Sequence, residues 1–312
     1  MVVSIYSRGL AAPPALHDAC DDQKAVRFRR RVKLFKRAGM INDTGEIRVD
    51  RAVTHDELAE AYGLVHSVFV DQGYIRPQRG RMRVRAFEAL PEMATFVAKA
   101  EDDRIVGVMS LLPDSDDLGV PSDKVFAEEL DKLRMQGRLF GEITNLAVAS
   151  DYRKSNVFLE LTRYLYSHSA NIGLDDLFIA ISPGHAAFFE EILSFHPWGK
   201  CRDYGDTVVD LVEGKRLDLT TFESRMKEAD ELLGEQAFLH PWYFTNNRHF
   251  HEAALAAEKA ADQFLDVRLL RNLFCHVSGL LHRCTLNELQ SLRKRWGHEL
   301  FAQIYAAETN VA

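Results

Sequence analysis

The chain is poor in cysteine. Its four cysteines, Cys20, Cys201, Cys275 and Cys284, are too few and too scattered for a disulfide framework, and no two have the Cys-x-x-Cys spacing of a metal site. A reducing cytoplasm is the setting they imply. No apolar run approaches the roughly 20 residues that cross a bilayer, and the start of the chain has no uninterrupted apolar segment followed by a cleavage site. Neither a membrane span nor export is expected. The net charge of −7 argues against global steering toward nucleic acid. His249 and His251, like His276 and His282, lack the i, i+4 spacing of a helical metal site, so no metal is expected. Internal repeats and low-complexity segments are absent too.

What is present is ordinary globular material. A hydrophobic share of 46% over 312 residues is enough for a sizeable core, in one large domain or a domain with an extension. Residues 1–44 form an N-terminal basic segment. Within it Lys24 to Arg37 holds eight basic residues and no acidic one, with Val26, Phe28, Val32 and Phe35 interspersed. Two readings stand: a solvated charged face with a few apolar anchors, or a docking surface for an acidic partner or an anionic membrane surface. Arg79, Arg81, Arg83 and Arg85 make a second basic cluster.

Between these features the periodicity changes in a legible order. Glu46 to Val53 alternates as a strand. Thr54-His-Asp-Glu57 has the form of a capping box, opening a helix with Leu58, Tyr62, Val65 and Phe69 on one face and its end near Gly73. Met93 to Lys99 and Arg104 to Leu112 flank an acidic turn, a hairpin signal, and Val125 to Met135 reads as a short helix. Leu139 to Val148 is a strand, followed by a polar turn and a helix bearing Val157, Leu161, Tyr164 and Leu165. Asp175 to Ser182 is a buried strand, His185 to Phe195 a helix, Tyr204-Gly205 a turn and Thr207 to Val212 a last strand. The order predicts an α/β fold, a mixed sheet flanked by helices. From about residue 216 to 312 the pattern is helical, with segments at Thr221 to Leu233, His251 to Leu265, Val267 to Leu281 and Leu286 to Ala306.

The stretch Gly141 to Phe158 is the centre of this pattern: an apolar strand with an early acid, Glu142, runs into a polar turn and a helix N-terminus, where backbone N–H groups can hold an anion. That arrangement resembles the GNAT acyltransferase superfamily. Within it the chain is similar to the long-chain N-acyl amino acid synthases and, beyond them, to acyl-homoserine lactone synthases. The residues that carry the likeness are Val65 to Tyr74, Gly141-Glu-Ile-Thr-Asn-Leu-Ala-Val148 and Pro183 to Phe195. It covers roughly residues 45–215, leaving 216–312 as a helical C-terminal extension.

The resemblance implies a fourth strand splayed from the fifth, with the donor's pantetheine arm on the exposed backbone. It implies acyl transfer from an acyl carrier protein to the amine of an amino acid or related compound, with no permanently bound cofactor. In this chain Asn156 and Phe158 stand where the superfamily's turn has glycines that let a coenzyme A pyrophosphate approach. That departure, with the two basic clusters, favours an acyl-phosphopantetheine donor on a carrier protein over acyl-CoA. The superfamily's tyrosine general acid is also missing from its usual segment, which here reads Phe188-Phe-Glu-Glu-Ile-Leu-Ser-Phe195.

Residue roles follow as expectations. Glu142 either takes the amine proton or binds the ammonium by charge; its structural alternative is an ion pair with an arginine such as Arg138. Thr144 and Asn145 face the acceptor, and Tyr74 and Arg76 approach its carboxylate. Phe188 and Phe189 line the acyl pocket or belong to the core. Backbone at Leu146, Ala147 and Val148 polarises the thioester carbonyl, and Arg153, Lys154 and Asn156 meet the phosphate. The alternatives are a CoA-dependent N-acetyltransferase and a non-catalytic interaction protein built on the same fold.

Overall fold

The computed structural model describes residues 25–26, 28–30, 32–33, 36, 46–78, 80–205, 211–247, 266–277 and 279–309. Seven strands form one sheet in the order β1-β2-β3-β4-β5-β7-β6. They are β1 (Arg48–Arg51), β2 (Ala94–Lys99), β3 (Ile105–Pro113), β4 (Phe140–Val148), β5 (Asp176–Ile181), β6 (His196–Asp203) and β7 (Leu211–Asp218). Every neighbouring pair is antiparallel except β4 and β5, which are parallel.

Two helices cover opposite faces of the sheet. On one lies α1 (His55–Asp71), opened by the expected capping box of Thr54 and Glu57. Its Leu58, Tyr62 and Val65 pack on Val97, Val108, Leu112 and Ala147. On the other, α3 (Val157–Asn171) sets Val157, Leu161, Tyr164 and Leu165 against Phe96, Met109, Leu111 and Ile143. Between them in sequence, α2 (Asp123–Met135) closes a smaller core of Phe126, Leu130, Phe140, Phe178 and Tyr204. After β5 comes α4 (Pro183–Glu191), shorter than the helix expected over 185–195.

The strand β6 was not anticipated. None of its residues is buried and its register against β7 shifts twice, so His-Pro-Trp-Gly-Lys-Cys-Arg-Asp carries none of the alternation that marks a half-buried strand. An edge strand needs only its neighbour's backbone, and proline and bulges belong there.

Beyond the sheet, α5 (Phe222–Leu233) adds Phe222, Met226 and Leu233 to the α3 side. A turn of helix at Val267–Leu269 runs into a π-helical stretch, Leu270–Val277. The expected last helix is two, α6 (Leu286–Trp296) and α7 (His298–Thr309), parted at Gly297 with φ 82°. Leu270, Leu273, Phe274, Leu292, Trp296 and Ile304 complete the α1 core. The sheet thus runs to Asp218, past the expected boundary at 215, and the C-terminal helices finish both of its faces. The helix expected over 251–265 lies outside the described residues.

The described residues of the N-terminal basic segment are helical. Arg29 donates to the Leu232 carbonyl and Lys36 to that of Gln236 at 3.2 Å, while Arg30 and Lys33 stay exposed. No helix among the described residues is long and apolar enough to cross a membrane.

The seat of α3 on the sheet depends on Gly107 of β3. A Cβ there would lie 2.4 Å from Val157 Cγ1 and 3.0 Å from Leu161 Cδ1. Gly107→Ala is expected to destabilise the fold by roughly 1–3 kcal/mol through overpacking, read as a lower midpoint at unchanged slope in urea unfolding.

Candidate active site

The site is made by β4 leaving β5. The two strands pair from Phe140↔Asp176 to Ile143↔Ile179 and no further, although β4 continues to Val148. From Thr144 onward, β4 is bonded on the β3 side alone. A bulge accompanies the parting: Ser110 pairs with Thr144 and Val108 with Ala147, so Asn145 and Leu146 together oppose Met109. Asn145 takes φ 53° there, a conformation that asparagine tolerates better than most residues.

Its side chain is held on three sides. Asn145 Nδ2 donates to Glu88 Oε1 at 3.1 Å and to Ser110 Oγ at 3.3 Å, and its Oδ1 accepts from Arg83 Nη1. Ser110 is linked to Thr95 at 3.0 Å and Thr95 to Tyr62 at 3.2 Å, so the chain of bonds crosses β3 and β2 to reach α1. Glu88 is wholly buried. Burial alone would keep its proton, but Arg85, followed by Arg83 and Asn145, overcomes this and holds it ionised below the usual carboxylate range. Arg85 grips it through Nη2 at 2.5 Å and Nε at 3.2 Å, and reaches Thr144 Oγ1 at 3.2 Å.

Glu142 lies on the α1 face, two residues before Thr144, and is 2% exposed. Its carboxylate accepts the Ser122 backbone N–H at 2.7 Å and the Ser122 Oγ–H at 2.8 Å. Ser122 immediately precedes α2 but does not cap it with its side chain; the hydroxyl serves Glu142 instead. Burial pushes the Glu142 carboxyl up to about 7, against the pull of the Ser122 bonds and the Arg85 charge. The expected alternative, pairing with Arg138, is not what occurs: Arg138 bonds Asp176 and Asp218. Tyr204, just past β6, is buried too and lies near Ser122 and Glu142; burial first, then the Glu142 charge, pushes it up to about 12.

Other predicted residues fall into groups. Leu146, Ala147 and Val148 lie along the strand segment that β5 leaves unpaired. Arg153 and Lys154 are exposed in the turn before α3, and Asn156 is its N-cap residue, buried, with no partner for Nδ2. Phe158 meets Phe188 at 5.3 Å and Phe189 at 5.9 Å between ring centroids, so the aromatic residue in the glycine position joins the two expected to line an acyl pocket. Below them is a dry space of about 30 Å³ among Ile143, Leu177, Phe189, Leu193 and Phe195, room for about one water. A far larger groove of about 600 Å³, lined by Arg51, Arg134, Arg138 and His168, opens at the start of β4 and includes neither Glu142 nor the parted strand. Tyr74 packs edge-on to Phe69 at 5.7 Å, and Arg76 is exposed outside the buried cluster.

Part of the second basic cluster must be reassigned. Arg83 is 6% exposed and Arg85 is tied to Glu88, so these two are not available to steer a partner; Arg81 is exposed, and Arg79 lies outside the described residues. The sequence reading also passed over Ser122, Glu88 and Tyr204. Only for Glu88 was there a signal, since an acid within Met82-Arg-Val-Arg-Ala-Phe-Glu88 is the natural partner for arginines set among apolar residues.

Residues 60–212 match the family described as N-acyl amino acid synthase FeeM. Among solved structures, FeeM from uncultured soil microbes aligns with a TM-score of 0.51 at 22% identity, over 57% of this chain and 93% of that one. Over residues 60–212 the chain is similar to the N-acyl amino acid synthases, and it shares the fold of FeeM. Two acyl-homoserine lactone synthases are also similar: LasI (TM-score 0.43, 15% identity, 55% of this chain and 89% of that one) and the CoA-dependent BjaI (0.44, 18%, 59% and 89%). No curated protein sequence matches.

The raised Glu142 carboxyl has a thermodynamic consequence for folding. Its folded pKa of about 7 exceeds the ordinary 4.5, so the folded state binds its proton more tightly than the unfolded state does. That contribution is fully present below pH 4.5, is lost as pH rises through 7, and levels off above. Glu142→Gln is therefore expected to gain on the order of 3 kcal/mol relative to the parent between pH 4.5 and pH 8, measured as the pH dependence of the difference in urea unfolding free energy.

Proposed function

We propose that this protein transfers a long-chain acyl group from the phosphopantetheine arm of an acyl carrier protein to the amine of an amino acid, giving an N-acyl amino acid. The observation that carries this reading is a buried carboxylate with a pKa near neutrality, two residues before an unpaired strand edge. Aminolysis of a thioester needs little more. The pantetheine amides bond the free β4 edge, as a fifth-strand neighbour would. The amine nitrogen attacks the thioester carbonyl, Glu142 accepts the amine proton, the C–S bond breaks, and the sulfur leaves as a thiolate that is then protonated. A base with its pKa near the working pH is well matched to that step. Tyr204, pushed by burial still further above the ordinary tyrosine value of 10.0, gives the site a protonated hydroxyl that the Phe188–Phe195 segment lacks.

The donor is read from the turn. Asn156 and Phe158 put side chains where a nucleotide pyrophosphate would need bare backbone, and Phe158 is packed into an aromatic cluster rather than turned away. A carrier protein presents one phosphate and no nucleotide, and Arg153 and Lys154 are exposed beside the 15-residue helix N-terminus that would receive it. Arg30, Lys33 and Arg81 are further exposed cations for the acidic surface of such a partner. A long acyl chain has to open the 30 Å³ space beside Ile143, with the rings of Phe188 and Phe189 at its side.

Purified protein supplied with long-chain acyl carrier protein and a panel of amino acids is expected to form amide. Acyl-CoA should be used at least tenfold less efficiently. Glu142→Gln should lower kcat by about 10²- to 10⁴-fold and remove the ionisation near pH 7 from the kcat/KM profile. Absence of amide product with every donor and acceptor would end this reading.

A further inference from the structure

Arg83 has more charge than its surroundings use. It is 6% exposed, and a buried guanidinium is costly unless it is paired. The nearest carboxylate, Glu88, is 3.8 Å from Nη1 and is already held at 2.5 Å by Arg85. Two arginines therefore share one acid. Arg83's hydrogen bond goes instead to a neutral acceptor, Asn145 Oδ1. Five N–H donors belong to a guanidinium, and among the described residues no other is taken. The Phe69 ring covers one face of the cation at 5.0 Å, which leaves the in-plane donors as what a ligand would meet. Glu142 does not settle the imbalance, because burial keeps it half protonated near neutral pH. Burial is also what draws the Arg83 guanidinium down to about 10.

The position of this surplus charge is informative. Arg83 is bonded to the bulge residue Asn145, and Arg85 to Thr144; both lie on β4 just past Glu142. Glu142 and Thr144 are two residues apart on one strand, about 7 Å. A small molecule with an amine at one end and an anion at the other could lie along this interval. We propose that Arg83, backed by Arg85, is the group that binds the carboxylate of the acceptor amino acid. The planar fork of the guanidinium suits a carboxylate. Binding it completes the pairing that Glu88 cannot supply to both arginines, while the acceptor's amine is turned toward Glu142. This inference rests on the acyltransfer reading and narrows it.

The test uses the full chain and one acyl donor with three acceptors in parallel: an amino acid, its carboxamide and its descarboxy amine. With the unaltered protein the amino acid is expected to show kcat/KM about 10- to 100-fold above the other two, the range for a charge-assisted bond. Arg83→Gln should raise KM for the amino acid by a similar factor with a much smaller change in kcat, so that the preference falls toward 1. Arg83→Lys should restore part of it. If Arg83→Gln does not fold, as judged by circular dichroism, Arg83→Lys with the same three acceptors decides: a preference for the amino acid unchanged from that of the unaltered protein would overturn the assignment. Equal use of the amino acid and its descarboxy amine would overturn the Arg83 assignment and leave acyl transfer standing. Amide from no acceptor would instead overturn the reading on which the assignment rests.

Discussion

The bulge at Asn145 is the constraint on which the rest of the site depends. Two residues of β4 oppose one of β3 at this point, just past the last pairing of β4 with β5 at Ile143↔Ile179. A bulge costs ladder bonds and, for a non-glycine residue at positive φ, some backbone strain. It persists because the Asn145 side chain is fastened to Arg83, Glu88 and Ser110. The same fastening draws a buried ion cluster to the strand. One local distortion thus lies beside an unpaired strand edge and brings cations to the edge's beginning.

The segment that carries the cluster needs holding, and the C-terminal helices hold it. Trp296 Nε1 donates to the Ala89 carbonyl at 2.9 Å, Arg283 to that of Val84 at 3.3 Å, and Arg295 bonds both Glu92 and Asp117. These contacts flank Arg83, Arg85 and Glu88 from outside the region that matches the synthase family. Buried polar networks are stable only when fully supported, so an extension that packs against residues 84–92 helps fix the position of the Arg83, Arg85 and Glu88 cluster. The role left open for residues 216–312 is, in this respect, a supporting one.

Environment, more than residue identity, divides the labour among the carboxylates. Glu88 and Glu142 are both buried to within 2% of completely. Glu88 meets two arginines and stays ionised; Glu142 meets a serine and a backbone N–H, and its charge is stabilised far less. The first is therefore a fixed anion that organises the bulge, and the second can exchange a proton near neutral pH. Separating two similar groups by their partners is how neighbouring carboxyls come to hold a fixed charge and a titratable proton.

The sequence by itself determined the layered sheet, the capping box at Thr54 and Glu57, the place of Glu142, and the family likeness, because these rest on local periodicity and on residues adjacent in the chain. It did not determine β6, whose exposed edge carries no alternation, nor the break at Gly297 between two helices that read as one. Only the tertiary structure decided that Arg83 and Arg85 turn inward, that Ser122 and Tyr204 attend Glu142, and that Arg138 does not. Each of those facts depends on which elements meet across the sheet: Arg83 to Asn145 spans 62 residues, and Ser122 to Glu142 joins a helix start to a strand. A run of arginines looks the same in sequence whether it faces solvent or a buried glutamate. The difference lies in burial and charge pairing, which are properties of the folded chain.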